Sequence, residues 1–187
     1  MNLPNKLTIL RIILVPFFVL FMLLSGDIFP HRNLVALAIF GIASYNDHLD
    51  GKIARRDHLI TNFGKLMDPL ADKLMVMAAL VCFTYRGIVH PAVSIIILAR
   101  EFLVTGLRML ATSSGRVIAA DIWGKLKTVF QDVGIVVILA WQALEHASFA
   151  PVLKTASTVC IWVMTVLTVV SAVNYCARNI DVFKETK

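Results

Sequence analysis

The chain has 187 residues, of which 58% are hydrophobic and only 16% charged, with a formal net charge of +6 and a mean hydropathy of +0.79. This exceeds the apolar content that a soluble globular surface tolerates. It also argues against nucleic acid as a partner, because in so apolar a chain Lys and Arg mark the cytoplasmic membrane face and anionic head groups.

A helix that crosses a bilayer needs about 20 apolar residues, and stretches near that length fall at 7–25, 33–54, 64–85, 91–113, 124–144 and 151–177. The predicted fold is therefore an all-α integral membrane bundle of six transmembrane helices, forming a single domain over 1–187. The opening stretch from Asn2 to Arg11 mixes polar and apolar residues and predicts a short N-terminal interfacial segment before the first span. No small-residue cleavage pattern follows the first apolar run, so that run reads as a retained span rather than a signal peptide. The breaks between spans carry turn chemistry at Ser25-Gly26-Asp27 with Pro30, Arg86-Gly87 before Pro91, Ser113-Ser114-Gly115, and His146 to Pro151. No internal repeat or low-complexity tract is evident.

Counting Lys and Arg on alternate sides of these spans sets the orientation. One side collects Lys6, Arg11, Lys52, Arg55, Arg56, Lys65, Arg116, Lys125, Lys127, Arg178, Lys184 and Lys187, and the other only Arg32, Arg86 and Lys154. Both termini are expected on the cytoplasmic side of a bacterial cytoplasmic membrane.

Of 12 acidic residues, five lie between positions 47 and 72, and four of these, Asp47, Asp50, Asp68 and Asp72, fall at helical spacing in two pairs. Asp47 and Asp50 are spaced i, i+3, and Asp68 and Asp72 i, i+4, so each pair falls on one helix face. If the segment between them turns back, the two faces converge at the cytoplasmic end. Four carboxylates in a low-dielectric setting repel one another unless protons or cations compensate them. Hard oxygen donors with room for water and phosphate favour Mg²⁺ or Mn²⁺. The bland reading is a solvated helix-loop-helix whose acids balance Lys52, Arg55, Arg56 and Lys65. It is disfavoured because ionisable groups at membrane-helix ends cost free energy unless they are used. Gly51 and Ala54 share a turn with Asp50, leaving space for a ligand or a partner backbone, and Gly64 lies one turn before Asp68.

The pattern Asp47-x-x-Asp50-Gly51-x-x-Ala54-Arg55, eight residues, then Gly64-x-x-x-Asp68-x-x-x-Asp72 resembles the complete signature of the CDP-alcohol phosphatidyltransferase family. The resemblance runs over nearly the whole chain. It includes the Pro4-Asn5 opening, Thr61 to Lys65, Asp68 to Lys73, Arg100-Glu101-Phe102, Thr105 to Arg108, and Gly124 to Thr128. These flanks are similar to a bacterial branch that takes sn-glycerol 3-phosphate as its acceptor. His48 departs from that branch, which commonly has an aromatic or bulky residue after the first aspartate.

The resemblance implies attack by a hydroxyl of sn-glycerol 3-phosphate on the lipid-side phosphorus of CDP-diacylglycerol, giving phosphatidylglycerol phosphate and CMP. It implies two divalent ions, Mg²⁺ or Mn²⁺, held by Asp47, Asp50, Asp68 and Asp72, with Asp72 also the general base. The CDP-lipid is expected against Gly51, Ala54 and Arg55, with Thr61 and Gly64 lining the same pocket. Membrane phospholipid and a second copy of the chain, as a homodimer, are the implied partners.

An acceptor that carries a phosphate dianion calls for a second basic cluster, for which Arg108, Lys125, Arg100 and Lys127 are candidates. Arg100 and Arg108 are about 80° apart around a helix. Arg100 and Glu101 fall near mid-span, where an unpaired charge is expensive, so the competing reading is an internal salt-bridge network through Glu101 or Asp132. Asp132 itself reads as either a buried pair or cavity wall. Thr8 and Arg11 are secondary candidates, with Arg11 expected to snorkel to the interface. Lys73 is expected to meet head groups or a neighbouring carboxylate.

His31, His58, His90 and His146 read as loop residues without ligand-spaced partners, and Cys82, Cys160 and Cys176 as buried thiols outside any disulfide or zinc pattern. Two other functions compete, beside a non-catalytic membrane scaffold, which would not need all four carboxylates. One is a sister enzyme that uses inositol phosphate, serine or phosphatidylglycerol as acceptor. The other is a divalent-cation transporter, which the clustering of the aspartates at one membrane face opposes.

Overall fold

The computed structural model describes residues 3–56, 62–113 and 122–178, with side chains described except at 3–5, 47–56, 62–69, 72 and 110–113. Among these residues the regular structure is wholly helical: α1 Leu3–Leu23, α2 Arg32–Arg56, α3 Asn62–Tyr85, α4 Pro91–Ser113, α5 Ile122–Ala143 and α6 Ala150–Arg178. The six helices coincide with the six apolar stretches. The opening residues are already helical from Leu3 and run into the first apolar stretch as one helix. Pro4 falls in the first turn, where its missing N–H costs no intrahelical bond.

Local chemistry explains the ends. At the end of α3, Gly87 N–H donates to the Thr84 carbonyl (3.0 Å) and Ile88 N–H to the Phe83 carbonyl (2.9 Å). This Schellman closure needs a left-handed residue, and Gly87 supplies it with φ of 71°. The α4 start pairs Pro91 as first helical residue with His90 as cap, whose Nδ1 accepts the Ala92 N–H at 3.2 Å. His90 thus has a structural use that its loop position did not reveal.

α1 packs against α2 and α3, α2 against α5, α5 along α6, and α4 against α6 and α3. The apolar core runs through Phe18, Phe40, Leu80, Phe83, Ile135, Ile138 and Met164. What surrounds it inverts the pattern of a soluble protein. Arg11, Glu101, Lys127, Gln131 and Ser171 are buried, whereas Phe17, Ile95, Trp162 and Val173 are exposed, Val173 by 64%. Ionisable groups inside and large apolar side chains outside are what a bundle solvated by lipid requires. Two helices, α1 over Lys6–Leu23 and α6, are long and apolar enough to cross a bilayer by composition, with mean hydropathies of 2.2 and 2.0.

The α2–α3 connection brings the C-terminal end of α2 and the N-terminal end of α3 to one end of the bundle. The opposite end is tied by Arg86, just past α3. Its Nε donates to the Met22 carbonyl at 2.9 Å, and its Nη1 to Asn33 Oδ1 at 2.7 Å and to Gln142 Oε1. Asn33 Nδ2 completes the ring by donating to the Gln142 carbonyl at 2.9 Å. One guanidinium thereby joins the ends of α1, α2, α3 and α5. Burial holds the Arg86 pKa below its ordinary value, and nearby Arg32 pushes the same way against Cys82 and Glu145.

Candidate active site

Asp47, Asp50, Gly51, Ala54 and Arg55 occupy the C-terminal part of α2, and Gly64, Asp68 and Asp72 the first turns of α3. The helical backbone at these positions preserves the one-turn spacing within each aspartate pair. Their side chains lie outside the described residues, as does Thr61 altogether. The donor set at the four aspartate positions is all carboxylate, which suits a hard divalent cation.

The second cluster is described in full. A cavity of about 200 Å³ opens between α3, α4, α5 and α6, and all four of Arg100, Arg108, Lys125 and Lys127 line it. Lys73 of α3, next to Asp72 in the chain, reaches the same cavity. Five cations face the two carboxylates Glu101 and Asp132 here, a formal surplus of three positive charges. Such a surplus in a partly desolvated site is suited to a phosphate dianion.

The four basic residues do not stand alike. Lys127 is 1% exposed and its Nζ pairs with Glu101 Oε1. Arg100 Nη1 lies 3.3 Å from the same oxygen, and Lys73 Nζ lies 3.4 Å from Glu101 Oε2. Arg100 Nη2 also donates to Ser171 Oγ of α6 at 2.7 Å. The internal network through Glu101 therefore exists, and it engages Arg100 and Lys127. Lys73 meets a neighbouring carboxylate, as expected. Arg108 and Lys125 line the cavity as exposed residues, whereas Arg100 and Lys127 are buried, so an incoming anion meets Arg108 and Lys125 first.

Gly124 matters to this arrangement. A Cβ there would sit 3.4 Å from Arg100 Nη2, so the absent side chain lets the guanidinium lie against α5 on its way to Ser171. Thr105, Thr128, Gln131 and Tyr175 add uncharged polar groups to the wall. Thr105 and Thr128 stood in the sequence only as ends of stretches that carry the family resemblance, and Gln131 and Tyr175 were not singled out. A signal existed for α6, where Thr168, Ser171 and Tyr175 recur every three or four residues within an apolar helix and are all buried.

Arg11 requires a correction. Instead of snorkelling it is 2% exposed, and Thr8, one turn earlier, is fully buried. Arg11 lines a smaller cavity of about 30 Å³ together with Ser44 of α2 and Asp132 of α5. α1 is enclosed by α2 and α3 along this stretch, so the side chain has no path to the interface that its sequence position suggested. Asp132 lies in the wall of both cavities. Cys82, Cys160 and Cys176 are free thiols. His146 is exposed beside Glu145, while His58 lies outside the described residues.

A lipid-solvated helical bundle with a cationic, phosphate-sized cavity next to a helix pair bearing the aspartate motif is the architecture of a membrane phosphotransfer enzyme. The chain belongs to the CDP-alcohol phosphatidyltransferase family, whose model matches residues 1–173. It is 38% identical to the CDP-diacylglycerol–glycerol-3-phosphate 3-phosphatidyltransferase of Bacillus subtilis, over 98% of this chain and 97% of that one. It is 37% identical to a probable phosphatidylglycerophosphate synthase of Mycobacterium tuberculosis, over 95% of this chain and 81% of the relative. A Rickettsia bellii protein with the same name as the Bacillus one is 31% identical over 93% of each chain.

Proposed function

We infer that this chain transfers the phosphatidyl group from CDP-diacylglycerol to sn-glycerol 3-phosphate, giving phosphatidylglycerol phosphate and CMP in phospholipid biosynthesis. The observation that carries the acceptor is the cavity with its surplus of three positive charges, one residue from Asp72 in the chain. Serine offers no phosphate to such a surplus; glycerol 3-phosphate does. The names of the Bacillus and Rickettsia relatives support the same donor and acceptor.

The acceptor phosphate binds Arg108 and Lys125, with Arg100 and Lys127 adding field from within the Glu101 network. Asp72 takes the proton of the acceptor hydroxyl as its oxygen attacks the lipid-side phosphorus. The bond from that phosphorus to the CMP oxygen breaks, and CMP leaves with the electron pair. Gly51 and Ala54 leave room for the cytidine, Arg55 pairs with the diphosphate, and Thr61 and Gly64 complete that wall. Asp47, Asp50, Asp68 and Asp72 would hold two divalent ions, Mg²⁺ or Mn²⁺, which when bound neutralise the diphosphate and the departing phosphate. The protein's share is positioning and electrostatics.

All six helices cross the bacterial cytoplasmic membrane in this reading, with both termini and the aspartate end on the cytoplasmic side, where Lys and Arg concentrate. α4 and α5 span despite Arg100, Glu101 and Lys127 because those charges are buried in the bundle interior. The chain works as a homodimer, as the family resemblance suggests. The test is to incubate the detergent-solubilised protein with CDP-diacylglycerol and a panel of alcohols, with and without Mg²⁺, and follow CMP. Turnover with serine but not glycerol 3-phosphate overturns the acceptor, and metal-independent turnover overturns the mechanism.

A further inference from the structure

Gln131 carries a buried oxygen that no donor among the described residues reaches. It lies on α5 one turn beyond Lys127, is 3% exposed, and forms part of the wall of the 200 Å³ cavity. Its Oε1 is buried with no hydrogen-bond partner. An amide oxygen in that position forfeits its water without replacement, a cost of about 1–3 kcal/mol. Buried polar groups left so are uncommon enough that each needs a reason. A core leucine or methionine at this position would avoid the cost.

The cavity is graded along α5 and α4. Arg108 and Lys125 are its exposed cations, and Lys127 and Gln131, one turn apart on one face of α5, are its buried groups. Glu101 holds Lys127, whereas the Gln131 carboxamide oxygen has unused accepting capacity; Arg100 Nε in the same wall also lacks a hydrogen bond, but it can only donate. An uncharged acceptor oxygen matches a hydroxyl donor and has nothing to offer a phosphate.

We propose that Gln131 is a specificity-determining residue that accepts a hydrogen bond from the non-reacting secondary hydroxyl of the acceptor, while Arg108 and Lys125 take its phosphate. This rests on the acceptor assignment above. It explains why an unpartnered carboxamide is retained inside the bundle: the ligand completes it. Selection for a hydroxyl by a buried polar group also discriminates more sharply than shape alone, since an analogue without the hydroxyl leaves that group unpaired.

The test compares sn-glycerol 3-phosphate with 3-hydroxypropyl phosphate, which keeps the reacting hydroxyl and the phosphate but lacks the secondary hydroxyl. Wild type is expected to favour glycerol 3-phosphate by about tenfold in kcat/KM, the size of one neutral hydrogen bond. Gln131→Leu and Gln131→Met should lose most of that preference by losing activity on glycerol 3-phosphate, with the analogue changed by less than about twofold. Thermal stability in detergent should hold or rise, because an unsatisfied buried group has been removed. A wild type that ignores the missing hydroxyl, or variants that weaken both acceptors equally, overturns the proposal. Arg108→Gln and Lys125→Gln serve as the separate control. If they leave KM for both acceptors unchanged, the acceptor site itself is wrong and this proposal falls with it; if they raise both while the Gln131 variants keep the preference, only Gln131 is misassigned.

Discussion

Lys73 of α3 and Glu101 of α4 form an ion pair of 3.4 Å, and the other oxygen of the same carboxylate is shared by Arg100 and by Lys127 of α5. Through one side chain the helix that carries Asp68 and Asp72 is fastened to α4 and α5, two of the other helices that line the basic cavity. A mobile cavity would spend binding energy on ordering itself; ties of this kind order its wall before any ligand arrives. The carboxylate also lets three cations coexist in a buried space where their mutual repulsion would otherwise be severe.

Glu101→Gln should therefore do more harm than its distance from the aspartates suggests. Removing the shared anion strands Lys127, Arg100 and Lys73, and the expected loss is about 3 kcal/mol of stability, the usual cost of breaking a buried pair from one side. Thermal unfolding in detergent measures it, and Glu101→Asp should recover part. An unchanged melting temperature would show that the pairing contributes nothing.

Arg108→Gln and Lys125→Gln should behave in the opposite way, because both residues are exposed. Folding should be unaffected while KM for glycerol 3-phosphate rises about tenfold for each, with a weaker effect at high salt. Steady-state kinetics at two ionic strengths separate this from a loss of kcat, which would place these residues elsewhere in the reaction.

Asp72→Asn, and removal of divalent metal by chelation, should each abolish CMP release while leaving the helical content of the protein intact. Circular dichroism and a CMP assay on the same sample provide the check. Retained turnover in Asp72→Asn would mean that another group takes the proton.

Arg86→Met tests the other end of the bundle. It leaves the carbonyl of Met22 and the side chains of Asn33 and Gln142 without their shared donor, and should cost about 2–4 kcal/mol of stability. KM for the acceptor should stay within about twofold, since the C-terminal turns of α3 beyond Val76 separate Arg86 from the cavity. A selective rise in KM would reveal long-range coupling along α3.

A more delicate probe is Gly124→Ala. The new methyl would press on Arg100 Nη2 at 3.4 Å. Arg100 is expected to shift from Ser171 and lower kcat/KM about two- to tenfold, with little loss of fold. Ser171→Ala should weaken the same contact from the other side, and equal activity in both variants and wild type would make the Arg100–Ser171 bond incidental.

Much of this protein is determined by its sequence alone, and the reason is local. Apolar length and turn residues decide where a helix starts and stops, so the stretches 91–113 and 64–85 were legible, and Gly87 was bound to end α3 because its left-handed φ excludes a side chain. The spacing of Asp47, Asp50, Asp68 and Asp72 is equally local. So is the chemistry of four carboxylates, and a family signature is a statement about linear order. What only the tertiary structure decided are relations among residues far apart in the chain. Arg100 and Lys127 were legible as cations but not as partners of one glutamate, because i, i+4 arithmetic is silent on which helices face each other. Arg11 read as a snorkelling residue until α2 and α3 enclosed it. Gln131 carried no signal in the sequence, since a glutamine on a helix is ordinary until its neighbours remove its water and put nothing in its place.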